Sequence, residues 1–433
     1  MTLVLRALFF GDVPHRLAGA QKSLLLSLSR LAAHGVEPVV AFPATGLFEQ
    51  ACRGAGLRVR IVDSPPAFQS FGKALMRMSV TQQLDVIVRQ ALPFSRQLAR
   101  VAEAEGAAVM HFNTPRGITM AGAAARFAGV AAAMHLRGVA AISRHIWLAS
   151  QVLGDRFLLV AKALERDFAP SVRSRAFVVY NGVHTPELID KDEARRLVAE
   201  RMSAAGLTLP ADRPIVVSVS SPTPFKGLHH LVRAAELLRD RGTDASFLCA
   251  GAGSGEPYEA WLRERIVSSG LSERFLMLGF WDDVHLLLSA ADLTVLPSVQ
   301  DETLVMGDST LRVRGTEGLP RAILESFAAA VPVVATDVAG VREQVDDGAT
   351  GHVVPPGDAQ ALGDAIGDAL RRTDWRRNAG AAGREVVLSR FTIDAAARGL
   401  AGHLSDLADA PPSAAIRAGR LAALTGDVLW RRA

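Results

Sequence analysis

Short apolar runs rich in β-branched residues alternate with stretches of helical periodicity along most of this chain, and they fall into two series. The first occupies 2–10, 36–43, 57–63, 107–113, 131–136, 156–161 and 176–181; the second starts at Ile215 and includes 245–250, 275–280, 293–297, 331–336 and 351–354. Strands that alternate with helices pair in parallel, because each crossover helix returns the chain to the same edge of the sheet. Two such series predict an α/β chain of two Rossmann-like, doubly wound domains. The stretch 184–213 is polar, carries Pro186 and Pro210 with Pro214 just beyond, and contains a charged segment from about Asp190 to Ala205. The expected boundaries are therefore 1–185 for the N-terminal domain, 186–213 for a linker, 214–395 for the C-terminal domain, and 396–433 for a final helix and tail.

With 433 residues, 49% of them apolar, the chain can fill two cores. A membrane span is not expected, since the apolar stretches are short and broken, as by Arg126, and none reaches the roughly 18 to 20 uncharged residues required. The opening Met1-Thr-Leu-Val-Leu-Arg-Ala-Leu-Phe-Phe reads as a first strand rather than a signal peptide, so a cytoplasmic location is expected. Cys52 and Cys249 are the two cysteines, and their apolar settings predict buried thiols. A net charge of +4 with scattered arginines and few aromatics argues against a nucleic-acid partner. The segment from Lys73 to Arg100 mixes apolar triplets with Arg77, Arg89 and Arg96. That pattern fits an ordinary amphipathic helix of the first domain, or one lying on an anionic membrane.

The stretch Glu317-Gly-Leu-Pro-Arg-Ala-Ile-Leu-Glu325 lies between two apolar runs, and it reads as strand, acidic turn, helix, strand. Gly318 permits an unusual turn, and Pro320 suits a first helical position, so a helix is predicted to start near Arg321. Its N-terminus, at the carboxyl edge of a parallel sheet, would attract a phosphate. Glu317 before the helix and Glu325 one turn inside it then flank that phosphate. A nucleotide sugar has the matching shape, with phosphate in the middle and hydroxyl-rich sugars at both ends.

The pattern resembles the retaining glycosyltransferases typified by sucrose synthase and bacterial mannosyltransferases, glycosyltransferase family 4 or group 1, which have the GT-B fold of two Rossmann-like domains facing across a cleft. The likeness continues through Thr336-Asp-Val-Ala-Gly-Val-Arg-Glu343, Asp347-Gly-Ala-Thr-Gly-His352, Phe225-Lys-Gly227, Gly251-Ala-Gly253 and Gly279-Phe-Trp-Asp282. It is strong over roughly 210–400, and looser earlier, at Ala18-Gly-Ala-Gln21, His135-Leu-Arg-Gly138 and Val179-Tyr-Asn-Gly-Val183.

The resemblance implies a role for each matching residue. Lys226 would hold the departing diphosphate, and Glu325 would accept from the ribose hydroxyls. Glu317 would lie nearer the transferred sugar, with Gly318, Leu319 and Arg321 completing the phosphate loop. Gly251 and Gly253 would shape the turn that admits the base. In the first domain, Gly19 would leave space for the donor phosphates at the start of a helix beginning with Ala20. His135, at the end of its strand, would bond the transferred sugar, and Arg137 would contact an anion of donor or acceptor. The family usually has arginine where this chain has Ser221, so one diphosphate contact must be lost or supplied elsewhere, for example by Arg321.

A second departure is the insertion 299–316, where Gly307-Asp308 signals a turn between alternating segments. A lid, an acceptor-binding hairpin and a tolerated surface loop all remain open for it. No metal is expected at the diphosphate. The one D-x-D arrangement, Asp190-Lys-Asp192, falls in the linker at a helix start, where aspartates act as caps. Should a metal prove necessary, Asp301, Glu302 and Asp308 would be the residues to examine.

The expected activity is retaining transfer of a sugar from a nucleotide diphosphate sugar to a hydroxyl acceptor, without a cofactor, in cell-surface glycan or glycolipid synthesis. The alternatives are a nucleotide-sugar 2-epimerase of the same fold and a non-catalytic sugar-nucleotide-binding scaffold.

Overall fold

The structure, a computed structural model, describes residues 4–65, 68, 79–138, 144–253, 255, 257–315 and 317–430. The chain divides into two compact units, Met1–Gly182 with Ile393–Ala433, and Val183–Thr392. In the first unit the strands are β1 (Leu5–Phe10), β2 (Val36–Phe42), β3 (Arg58–Ile61), β4 (Val109–Phe112), β5 (Ala131–Leu136), β6 (Arg156–Leu159) and β7 (Ala176–Val178). They form one sheet in the order β3-β2-β1-β4-β5-β6-β7, with every pair parallel. Both faces are covered, which is why the inner strands are apolar without alternation. Strand β5, Ala-Ala-Ala-Met-His-Leu, is buried along its whole length. Alanine has little intrinsic preference for strands, so pairing with β4 in the register Val109↔Ala131 decides its conformation.

The Ile393–Asp409 helix closes this unit. Its Leu400, Leu404 and Leu407 share a core with Leu24 and Leu28 of the Gly19–Leu31 helix and with Val40 of β2. Of the segment proposed for membrane contact, Lys73 and Arg77 lie outside the described residues. From Val80 on, the chain forms the helices Val80–Val86 and Leu92–Ala104 around a π-helical turn, Ile87–Ala91, in which Ile87 and Val88 are exposed. Among the described residues no helix is long and apolar enough to cross a membrane.

The second unit contains β8 (Ile215–Val219), β9 (Ser246–Ala250), β10 (Phe275–Gly279), β11 (Leu293–Leu296), β12 (Asp301–Met306), β13 (Ser309–Arg314), β14 (Val333–Thr336) and β15 (Gly351–Val354). Six of them build a parallel sheet, β10-β9-β8-β11-β14-β15, while β12 and β13 pair only with each other. The charged helix expected within the linker spans Lys191–Ala204 and is part of this unit. It buries Ala194, Val198 and Met202, and its Lys191 and Arg195 both pair with Asp292, which also accepts the Ile215 N–H at 2.8 Å. Asp190 caps the helix by accepting from the N–H groups of Asp192 and Glu193. Cys52 and Cys249 are buried free thiols; burial, then Glu49 nearby, pushes Cys52 up to about 12, so it is inert as a nucleophile.

Candidate active site

The order of strands in the second sheet reverses beside β8, which lies between β9 and β11. In open α/β sheets ligands bind at such a reversal, beyond the carboxyl ends of the two strands. Three side chains meet there. Lys226 ends the short 3-10 helix Pro224–Lys226 that follows β8, Ser298 follows β11, and Glu317 returns from the insertion. Lys226 Nζ donates to Glu317 Oε1 at 2.6 Å, and Ser298 Oγ donates to the same oxygen at 2.9 Å. The pair is only partly shielded, with side-chain exposures of 20% and 10%, so a ligand can still reach the ammonium.

The backbone around Lys226 is tightly specified. Gly227 has φ +65°, and a Cβ there would sit 1.9 Å from the Pro297 carbonyl oxygen. Only glycine allows this approach, which draws the Lys226 loop against the end of β11. Thr336 Oγ1, at the end of β14, donates to the Ser298 carbonyl at 2.5 Å and so ties a third strand to the site. Gly251 follows the same logic, since a Cβ would lie 2.1 Å from Ser220 O, whereas Gly253 sits beside the Glu259 carboxylate.

The helix expected to start near Arg321 does so, but Pro320 lies just outside it rather than in its first position. Pro320 is the N-cap, with ψ 116°, and Arg321 is the first residue of the Arg321–Ala328 helix. Leu319 is 3% exposed and anchors the loop, and Gly318 O and Pro320 O are fixed by Gly340 N and Gln344 Nε2. No side-chain hydrogen bond caps this helix and its first turn has no acidic residue, so the positive end of its dipole is not neutralised within that turn. Glu325 projects one turn along and accepts from Arg321 Nη2 at 2.7 Å. Arg321, expected to replace the missing arginine, is therefore engaged with Glu325. Ser221 is exposed, but its neighbours Ser220 Oγ and Thr223 Oγ1 are buried without a hydrogen-bond partner.

In the first unit the expected residues take different surroundings. Gly19 is itself the first residue of its helix and is exposed. His135 does not end its strand, which runs on to Leu136, and at 1% exposure it lies inside, its Nδ1 3.5 Å from His111 Nε2. Burial, followed by the Arg137 cation, drives both imidazoles to low pKa, His111 to about 3. Arg137 bridges two asparagines, donating to Asn113 at 3.0 Å and Asn181 at 2.7 Å. Sequence reasoning missed Asp12, buried after β1, which accepts from Thr114 Oγ1 at 2.8 Å. Its signal was its position: Asp12 follows β1 and Thr114 follows β4, adjacent strands where this sheet reverses.

The insertion is a docked hairpin that turns at Gly307, as its sequence suggested, and buries Leu304 and Val313 in the second unit's core. Its base touches the Lys226 loop, because Val299 N donates to Phe225 O at 2.8 Å. Glu302 clasps it to the next helix, Leu228–Asp240: His229 Nε2 lies 2.6 Å from one carboxylate oxygen and His230 Nε2 2.8 Å from the other. Among the described residues these three form the one group with metal-ligand spacing, their ligand atoms all within 4.8 Å of one another. Asp301 is not part of it and pairs with Arg312 at 2.6 Å.

Burial opposes ionisation of Glu302, but the two histidines outweigh it and hold its carboxyl down at about 2. A depressed carboxyl stabilises the fold above the unfolded value near 4.5, and that contribution disappears as pH falls towards 2. Glu302→Gln is expected to cost about 1 to 2 kcal/mol at pH 7. Urea unfolding of the second unit at pH 7 checks this, and an unchanged midpoint would leave the clasp without energetic weight.

Residues 202–386 match the family model described as "Glycosyl transferases group 1". The alpha-D-kanosaminyltransferase of Streptomyces kanamyceticus is 32% identical over 212 residues, 48% of this chain and 49% of that protein. The GDP-mannose-dependent alpha-(1-6)-phosphatidylinositol monomannoside mannosyltransferase of Mycolicibacterium smegmatis is 33% identical over 218 residues, 48% and 51% of the two chains. This chain thus spans about half the length of the curated relatives it matches. Among solved structures, Anabaena Alr3699/HepE in complex with UDP and glucose superposes with a TM-score of 0.72 at 19% identity, covering 93% of this chain and 100% of that one. WaaG, a glycosyltransferase involved in lipopolysaccharide biosynthesis, gives 0.64 at 14% identity, covering 92% and 99%. Residues 202–386 are thus similar to the group 1 glycosyltransferases, and the fold is GT-B, two Rossmann-like α/β domains.

Proposed function

We propose that the protein is a retaining glycosyltransferase that takes a sugar from a nucleotide diphosphate sugar and transfers it to a hydroxyl acceptor in glycan synthesis. The observation that carries this reading is the Lys226–Glu317–Ser298 constellation at the strand-order reversal, beside the uncapped Arg321–Ala328 helix. It has the charge pattern that a departing diphosphate requires. Lys226 spends one of its three N–H donors on Glu317, which aims the ammonium and leaves the others for phosphate oxygens. As the glycosidic bond breaks, negative charge gathers on the diphosphate, and the ammonium and helix dipole stabilise it. Ser220 and Thr223 offer buried hydroxyls on either side of Ser221, and they can supply neutral contacts where the family's arginine is absent. The leaving phosphate oxygen takes the acceptor's proton on the same face, so no separate base is needed and configuration is retained.

The nucleotide sits against Glu325, whose carboxylate accepts from the ribose hydroxyls. That HepE was solved with UDP and with UDP-glucose supports a nucleotide-sugar donor. Isothermal titration with UDP, GDP and ADP tests this part. Glu325→Gln is expected to weaken nucleotide binding by about 1.5 to 3 kcal/mol, the worth of a charge-assisted hydrogen bond, with the fold intact. Unchanged affinity would remove Glu325 from the site. The transferase reading itself is tested by incubating the protein with nucleotide sugars and a hydroxyl acceptor and assigning the anomeric configuration of the product by NMR; an inverted product would overturn retention. Contact of the exposed Ile87 and Val88 with an anionic membrane surface is a further part of the proposal, and salt-sensitive sedimentation with anionic liposomes is its readout.

A further inference from the structure

Away from the donor region, the first unit holds a cavity of about 220 Å³ lined by Arg126, Arg175, Arg417 and Arg420, with Asp155 as its one acidic residue. Asp155 is 4% exposed and fully occupied. It accepts from Arg126 (Nη1 2.6 Å, Nη2 3.2 Å), from Arg417 (Nε 3.0 Å, Nη2 3.1 Å) and from Ala132 N at 3.0 Å. Two bidentate guanidiniums thus saturate both oxygens. Nothing of opposite charge in the lining is left for the other two arginines. Arg420 Nη1 lies 3.8 Å from Asp155 Oδ1 and makes no hydrogen bond. Arg175, 9% exposed, gives one N–H to Gly154 O and lies over the Phe157 ring, while its Nε has no partner.

Four guanidiniums against one carboxylate leave a formal +3 around the cavity. Buried, unmatched charge is costly, and an anion that accepts from the orphaned N–H groups offsets the cost. The guanidinium fork suits phosphate oxygens, and the cavity is several times the roughly 30 Å³ that a water occupies. Burial and the neighbouring Arg420 already push Arg175 down to about 10, which shows the repulsion an anion would relieve. We infer that Arg175 and Arg420 form a binding site for a phosphate-class anion, distinct from the donor site. Arg417 and Arg420 come from the Ala414–Trp430 helix, so the ligand would also fasten that helix to the strand-β6 region. Two lining residues, Val152 and Leu421, are apolar and exposed, which would suit the ester portion of a phospholipid headgroup as well as a free phosphate.

The test compares the thermal stability of the full chain in phosphate or pyrophosphate with that in chloride at equal ionic strength. At about ten times the dissociation constant a saturable Tm rise of roughly 3 to 6 °C is expected. Arg420→Gln should abolish that rise yet be no less stable than wild type in phosphate-free buffer, since burial and the neighbouring arginines outweigh the attraction of Arg420 to Asp155. Lys226→Ala should keep the rise, which separates this site from the donor site. Sedimentation with phosphatidic-acid vesicles that depends on Arg420 would assign the phosphate to a lipid; a response to inorganic phosphate without such sedimentation would assign it to a free anion. A rise that survives Arg420→Gln, or no response to either probe, would overturn the proposal.

Discussion

Lys226→Ala is expected to slow sugar transfer by roughly a hundred- to a thousandfold, while EDTA leaves the wild-type rate unchanged. Removing one preorganised contact to transition-state charge costs about 3 to 4 kcal/mol, because the site cannot rearrange to replace it. Here the loss has a second part. Glu317 accepts from Lys226 at 2.6 Å and from Ser298 at 2.9 Å, and the substitution takes the ammonium away from that carboxylate beside the diphosphate. Binding of the nucleotide should change less than the rate, since Glu325 and the base turn are untouched. Stopped product assays with and without EDTA decide the matter. Activity lost to EDTA and restored by magnesium or manganese would sink the metal-free mechanism. The His229, His230 and Glu302 group would then be the first place to examine.

The first unit should lose stability steeply in mild acid, before its carboxylates titrate. His111 is completely buried, and burial followed by Arg137 holds its pKa at about 3, against 6.5 for an ordinary histidine. His135 beside it is shifted in the same direction by burial, by Arg137 and by His111. A depressed folded value means that the unfolded chain takes up protons that the folded chain refuses. The stabilisation is therefore complete above pH 6.5 and is lost as pH falls towards the folded value. His111 contributes about 1.4 kcal/mol per pH unit across that window, on the order of 5 kcal/mol by pH 3. Between pH 6.5 and 5 His111 alone should remove about 2 kcal/mol, a sizeable share of a domain's net stability, and His135 adds to the loss in the same direction. Asp12 acts in the opposite sense, because burial raises its pKa. Denaturant unfolding at pH 7 and pH 5, followed by a probe in the first unit, measures the slope. His111→Gln should flatten it by about one proton, and a stability independent of pH between 7 and 5 would refute the account.

The two-series alternation marked every strand of both parallel sheets to within a few residues, because strands buried on both faces must be apolar and cannot hide that in the sequence. The register of the turn at 317–321 was legible too, apart from the one-residue shift that makes Pro320 a cap. Motif residues 226, 317 and 325 could be named because they follow strands and open helices, and those positions have local signatures. Neighbourhood could not be read in the same way. Whether Glu317 would meet Lys226, 91 positions away, depends on β8 and β11 being adjacent, with Leu293 opposite Val216.

The same reason explains what sequence reading misjudged. His135 was expected at a strand end, and only the pairing of β5 with β4 shows that it is enclosed beside His111. The polar segment 186–213 looked like a linker because it is charged and carries prolines; Asp292, about a hundred residues later, supplies the partner for Lys191 and Arg195. By itself the sequence determined the element types, the parallel sheets and the loop-to-helix turn at 317–321, since these follow from periodicity and backbone chemistry over a few residues. Tertiary structure alone decided which charges meet: Glu302 with two histidines, and four arginines around one aspartate, two of them brought by a helix whose Arg417 is 262 positions away. Local propensity carries no information about such pairs, because their energy exists only once the sheet order has been fixed.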